Sequence, residues 1–267
     1  MANPRPDRLL RVDLSAREVT SEPVPAEWRR RYLGGKGLGA RYLYDELPAG
    51  TDPLGPENVL MFLLGPMTGA LPGTQRYAAV TKSPLTGTFL DSYAGGDFPA
   101  RLAGALDDHL GVLVTGQADE PVTLVVGDGD ARIESTDAWG EDAVETARHY
   151  DGAVACVGPA GEQQVTYATI ASDEAEHHAG RGGAGAVMGS KRLKAVVARG
   201  DPVEPPAEVA ALRDREASRF ETTDVGRWIR ASGTAETVDF ADETDVLPSS
   251  GWQERGFDGS EDIGIEA

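Results

Sequence analysis

Residues 179–191 read Ala-Gly-Arg-Gly-Gly-Ala-Gly-Ala-Val-Met-Gly-Ser-Lys, and five glycines in thirteen positions restrict what can be built around them more than any other stretch does. Glycine reaches positive φ at little cost and lets the backbone approach another surface closely. Exposed N–H groups beside Arg181 and Lys191 suit an anion such as a phosphate. The proline-free run from Ala184 to Leu193 predicts a short helix, whose dipole would add to the attraction.

Charge narrows the partner. The formal charge of −19 opposes nonspecific nucleic-acid binding, which needs a basic surface. The acids are scattered and arginine far outnumbers lysine, a combination that points to a high-salt, halophilic setting where repulsion is screened. The only lysines, Lys36, Lys82, Lys191 and Lys194, sit in glycine-rich or turn-rich stretches. They read either as a focused positive site for an anionic ligand or as chance placements on solvated loops. A single cysteine, Cys156, excludes an internal disulfide and any four-thiolate site from this chain alone; within AVACVG it reads as a buried structural thiol. The first ten residues lack a long apolar core and no run of eighteen apolar residues follows, so the expectation is a soluble cytoplasmic protein with no membrane contact.

Along the chain, residues 8–19 alternate as a strand leading into a hairpin, and residues 25–33 suit a short helix ending at Gly34. GGKGLGARYLYDELP then reads as a glycine loop followed by a helix that stops at Pro48. Short strands punctuated by Gly-Pro, Ser-Pro and Gly-Gly turns follow, with a hairpin at residues 121–134, a helix at 143–150, and strands at AVACVG, 165–171 and LKAVVARG. Gly35-Lys36-Gly37 and Gly180-Arg181-Gly182, each heading a short helix, suggest two related halves. After Asp201 comes a proline-rich linker, then a charged helical segment and an acidic tail too sparse in apolar residues to bury a core of its own.

Gly180-x-Gly182-x-x-Gly185 formally matches a dinucleotide fingerprint, but SDEAEHHA separates it from the preceding strand and no parallel βαβ series surrounds it. His177 and His178 are adjacent, so their side chains diverge, and a polar loop is the better reading than a metal site. No nucleophile elbow is present.

In order, RLLRVDLSAREV, YLGGKGLGARYLYDE, DPLGPENVLMFLLGPMTG, QRYAAVTKSPLTG, SYAGG, VGPAGEQQV and AGRGGAGAVMGSKRLKAV resemble the N-terminal domain of the aldehyde:ferredoxin oxidoreductase family of tungsten or molybdenum pterin enzymes. The resemblance implies an α+β fold of two mostly antiparallel or mixed β-sheets with short helices, in two related halves over residues 1–201. Residues 202–267 would be a linker and the start of a helical second domain. It also implies a bis-pterin cofactor with a bridging magnesium, a [4Fe–4S] cluster, and ferredoxin as electron acceptor for oxidation of an aldehyde to an acid. By motif, Arg76, Gly95, Gly96, Arg181, Gly182 and Gly183 would contact the cofactor, with Lys36, Lys82 and Lys191 as second choices. No catalytic side chain is assigned. Tyr93 stands where some members have an asparagine that helps hold the magnesium, and a phenol is a poor magnesium ligand. The family's cluster cysteines lack counterparts here, so the chain reads as truncated or as encoded apart from a separate cluster-bearing chain, and a homodimer is a further partner the resemblance allows. The alternatives are a non-catalytic scaffold that keeps the fold without its cofactor, and a nucleotide-binding enzyme.

Overall fold

The structure, a computed structural model, describes residues 6–71, 73–233 and 235–265. The first half of the apolar-poor start and residues 234 and 266–267 of the acidic tail lie outside the described residues. The chain forms two compact units, Met1–Val209 and Ala210–Ala267.

The first unit contains two six-stranded sheets. Strands β1 (Arg8–Asp13), β2 (Glu18–Pro23), β3 (Leu60–Leu63), β4 (Tyr77–Lys82), β5 (Phe89–Ala94) and β6 (His109–Thr115) form one. Helices α1 (Ala26–Tyr32), α2 (Gly35–Glu46) and α3 (Phe98–Leu106) accompany it. The other sheet contains β7 (Val122–Gly127), β8 (Asp130–Ser135), β9 (Ala153–Cys156), β10 (Ile170–Ser172), β11 (His177–Ala179) and β12 (Leu193–Ala198). With it come α4 (Ala143–Arg148), α5 (Pro159–Glu162) and α6 (Ala184–Ser190).

The strand orders are β2-β1-β6-β3-β4-β5 and β8-β7-β12-β9-β10-β11. In each sheet the second and third strands run parallel, β1 with β6 and β7 with β12, and the other pairs are antiparallel. Each strand of the first sheet therefore has a counterpart six strands later, and the chain is duplicated. The equivalence differs from the one the glycine motifs suggest. Gly35-Lys36-Gly37 opens α2, between β2 and β3, whose topological counterpart is α4. The counterpart of Gly180–Gly183, between β11 and α6, is Gly95-Gly96, between β5 and α3.

Alternation along the strands explains why both sheet faces are dry. Leu10, Val12, Leu60, Phe62, Val112 and Val114 point to a central core shared with Val122, Leu124, Ala155, Ile170 and Val196. Helices α3 and α6 add Phe98, Leu102, Val187 and Met188 to it. The alternate residues Leu9, Met61, Leu63, Val80 and Leu113 meet Leu38, Tyr42 and Leu43 of α2 on the outer face. Val154, Cys156, Ala195 and Val197 meet the α4 layer. VLMFLL is apolar throughout because β3 is covered on both sides.

One unassigned segment is filled and two local expectations change. FPARLAGAL forms α3, because Phe98, Leu102, Ala105 and Leu106 lie on one buried face and Pro99 sits in the first turn. The strand expected at 165–171 is shorter, Ile170–Ser172, and SDEAEHHA is not a plain loop: it turns and pairs back as β11. The glycine stretch thus directly follows a strand after all, but an antiparallel edge strand, which no dinucleotide fold uses there.

The second unit comprises mainly the body of α7 (Ala207–Thr222), whose first three residues fall in the first unit, with α8 (Asp224–Ser232) and α9 (Ala235–Glu243). The short β13 (Pro248–Ser249) and β14 (Glu254–Arg255) and a 3₁₀ turn (Ser260–Ile263) complete it. Among the described residues, no apolar side chain beyond Ala198 is fully buried, while Trp228, Phe240 and Trp252 are exposed.

Candidate functional site

Each glycine loop packs against residues of the other half of the chain. Ser92 of β5 donates its hydroxyl hydrogen to the Gly180 carbonyl, and Ser83 Oγ donates to the Gly182 carbonyl at 2.6 Å. Each loop of one half is thus held by the other half. Gly182 and Gly183 are buried, at φ +93° and +83°. A β-carbon on Gly183 would stand 2.1 Å from the Thr166 carbonyl oxygen, and one on Gly182 would stand 2.4 Å from Leu90. These two glycines are required by close packing. Arg181, between Gly180 and Gly182, is exposed at φ +53°.

The helix after this loop does not act as expected from the sequence. All seven residues of α6 are buried, and the Gly185 N–H donates to the Ala168 carbonyl at 3.0 Å. A short, covered helix offers no open N-terminus to an anion.

The loop at Gly95-Gly96 is backed by the β10–β11 hairpin. Gly96, at φ +79°, has no room for a side chain: its β-carbon would lie 1.8 Å from Asp173 Oδ2 and 2.4 Å from the His177 ring. Asp173 accepts from the Asp97 N–H at 3.1 Å and the Phe98 N–H at 3.2 Å, occupying the start of α3. Burial raises the Asp173 pKa, opposed by these two amides and by His177. A cleft of about 940 Å³ opens beside Gly96, Asp97, Arg101, Arg148, Asp173 and His177.

Arg76 is exposed in the turn entering β4, and the neighbouring Gln75 carbonyl lies 3.4 Å from where a β-carbon of Gly95 would be. In a chain with 44 acidic residues, most arginines find an acceptor. Arg11 is shared by Glu22 and Glu46, Arg41 holds Asp45, and Arg148 holds Glu174. Among the described residues Arg76 and Arg181 have no side-chain hydrogen bond or ion pair, a property shared with Arg30 of α1.

The lysines do not converge. Lys36 Nζ lies 3.2 Å from Asp91 Oδ2, which also accepts from the Tyr93 hydroxyl at 2.8 Å. Lys82 donates to the Thr51 carbonyl at 2.6 Å. Lys191 is fully buried, donates to the carbonyls of Gly116 and Pro56 at 3.0 and 3.3 Å, and is pushed down to about 8 by burial. Lys194 is buried in a 2.5 Å pair with Glu162. The reading of four lysines focused on one anion is therefore corrected: two of them are interior ties between strand ends and loops. Their burial was hidden because glycine-rich flanks resemble solvated turns.

Tyr93 is pushed up to about 12, first by burial and then by Asp91, so it remains a neutral phenol. Among the described residues no group of three or more His, Cys, Asp or Glu could hold a metal ion. His177 and His178 lie on β11 rather than in a loop; His177 faces Gly95 and Gly96, while His178 Nδ1 is 2.9 Å from Thr169 Oγ1. Cys156 is buried, and burial pushes its thiol up to about 12. Sequence reasoning missed Asp173 because its contacts lie some 75 residues upstream.

Residues 9–200 match the family described as aldehyde ferredoxin oxidoreductase, N-terminal domain. The chain is 35% identical over 259 residues to the tungsten-containing aldehyde ferredoxin oxidoreductase of Pyrococcus horikoshii, covering 92% of this chain and 42% of that protein. It is 36% identical over 259 residues to the enzyme of the same description from Pyrococcus furiosus, with the same coverage. It therefore spans about two fifths of the length of these curated relatives. Among solved structures it resembles the active-site complex BamBC of benzoyl coenzyme A reductase in complex with 1,5-dienoyl-CoA, with a TM-score of 0.76 and 31% identity. That similarity covers 83% of this chain and 35% of the other. The two six-stranded sheets and the extent of these matches lead to one conclusion: the chain belongs to the aldehyde ferredoxin oxidoreductase family, whose N-terminal domain it contains.

Proposed function

We propose that residues 1–201 form the base on which a tungsten- or molybdenum-bis-pterin cofactor rests, with residues 202–267 a linker and the start of a second, helical domain. The observation that carries this reading is the pair of unpaired, exposed arginines, Arg76 and Arg181, each beside a glycine loop that is held by the opposite half of an otherwise acid-rich chain. Guanidinium groups without an internal acceptor suit bidentate bonds to phosphate oxygens. Gly95 leaves the backbone without a side chain beside the Arg76 turn, Gly96 admits Asp173 behind it, and Gly182 and Gly183 let Arg181 emerge from a closely packed turn. Lys36 of α2 is a further cation near Tyr93, although it is already paired with Asp91 of β5.

The residues present fit the phosphate-bearing part of the cofactor. They do not fit a magnesium ligand at position 93, because the Tyr93 hydroxyl is protonated and bonded to Asp91. A bridging magnesium would take its protein contacts elsewhere. Lys82 and Lys191 are spent on backbone carbonyls, and we assign them structural roles.

When bound, the metal–pterin group supplies the redox chemistry that oxidises an aldehyde to a carboxylic acid. This chain's own residues bind, orient and shield that group, and none acts as a nucleophile. Ferredoxin is the proposed electron acceptor. A [4Fe–4S] cluster needs four thiolates, and the single cysteine here is buried, so the cluster would be held by further residues or a separate chain. A homodimeric assembly is part of this reading. The acid-rich composition supports a cytoplasm of high ionic strength.

The test is affinity purification under anaerobic conditions from cells supplied with tungstate and molybdate, with metal, pterin and iron analysis. The expected result is pterin and tungsten or molybdenum in a complex with a cysteine-bearing partner. Aldehyde turnover by the isolated chain would sink the requirement for a partner. Absence of pterin from every purified form would favour the cofactor-free scaffold.

A further inference from the structure

The tip of the β10–β11 hairpin is strained. Asp173, Glu174 and Ala175 have φ of +53°, +51° and +68°, three successive left-handed residues without a glycine. Non-glycine residues in this region are strained and persist only where the surrounding structure imposes them. What the tip delivers is the Asp173 carboxylate. Its two oxygens accept from the Asp97 and Phe98 amides, and Oδ2 fills the space where Gly96 would otherwise carry a side chain. His177, the first residue of the returning strand β11, closes against Gly95 and Gly96 from the same direction. No hydrogen bond to the proposed ligand is needed from either residue; they lie behind the loop.

We propose that Asp173 is a positioning residue, which sets the backbone of Gly95 and Gly96 in the conformation that receives a phosphate-bearing cofactor. The inference rests on the pterin-base reading. It adds that this half of the cradle is controlled from the other half of the duplicated chain. The start of α3, like that of α6, offers no free amides to a phosphate, because a carboxylate of the chain itself fills it. Ligand contacts in this half then fall to Arg76 and the bare glycine backbone.

The experiment compares wild type, Asp173→Ala, Asp173→Asn and Val197→Ala, each isolated with whatever partner chain accompanies it. Val197 is buried on the far face of the second sheet and serves as a destabilised control. Amide hydrogen exchange of residues 95–98 and pterin content per chain are both measured. In Asp173→Ala, exchange at Asp97 and Phe98 should rise at least tenfold and pterin content should fall at least tenfold. Asp173→Asn retains one oxygen acceptor and should be intermediate in both. Val197→Ala should lower thermal stability yet keep its pterin. Equal pterin loss in Val197→Ala, or full pterin retention in Asp173→Ala with exchange raised, overturns the positioning role. A wild-type complex without pterin overturns the reading beneath it, whatever the variants do.

Discussion

Gly183 separates a packing requirement from mere backbone freedom. Replacing it with alanine forces a side chain onto φ +83° and sets its β-carbon 2.1 Å from the Thr166 carbonyl oxygen and 2.8 Å from the Pro84 ring, closer than real β-carbons come. Gly87 is the matched control: its φ is +70°, and nothing lies within 4 Å of a β-carbon there. At Gly87 the left-handed conformation costs roughly 1–2 kcal/mol, partly offset by the reduced freedom of the unfolded chain, for a net loss of about 1 kcal/mol. At Gly183 the same cost is joined by about 1–3 kcal/mol of overpacking against backbone, for a total near 3 kcal/mol. In a unit of this size each kcal/mol moves the midpoint by about 2–4 °C. Differential scanning calorimetry should therefore show a loss of about 2–4 °C for Gly87→Ala and about 6–12 °C for Gly183→Ala. Equal losses would refute the argument that the loop glycines are fixed by close approach.

The two arginines should behave in the opposite way. Arg76→Ala and Arg181→Ala remove no internal partner, so stability should stay within about 0.5 kcal/mol by thermal melts. Pterin affinity should fall by about 10- to 100-fold for each, the worth of a charge-assisted bond of roughly 1.5–3 kcal/mol. Lys191 predicts a pH effect. Its folded value is about 8 against 10.5 for the free side chain, so between those values the unfolded chain holds more protons and stability rises with pH, by up to about 3 kcal/mol. Denaturant titrations of wild type and Lys191→Met across pH 7–10.5 check this, and the slope attributed to Lys191 should vanish in the variant.

Local signals carried much of the fold. Alternation in residues 8–23 is enough for the first hairpin, and Gly34 with Pro48 brackets α2 because each acts on its own neighbours. The α3 helix was equally legible, since Phe98, Leu102 and Leu106 recur at helical spacing, but glycine and proline on its flanks resemble a turn. Other features depend on distant parts of the chain and left no local trace. The burial of Lys191 requires the carbonyls of Pro56 and Gly116, which only the folded sheets bring within reach. The duplication is similar. Its two glycine loops share little sequence beyond Gly-Gly, and the equivalence appears only when strand order and direction are compared. At the candidate site, Arg76 and Arg181 stand out by motif, whereas their lack of internal acceptors and the brace from Asp173 are three-dimensional facts.

The most direct test of the central claim is to count pterin released per chain from the anaerobically purified complex, alongside tungsten and molybdenum. The account predicts two pterins and one metal per copy of this chain, with both lost in an Arg76→Ala, Arg181→Ala double variant that melts like wild type. Undiminished pterin in that double variant, or no pterin in the wild-type complex, would contradict it.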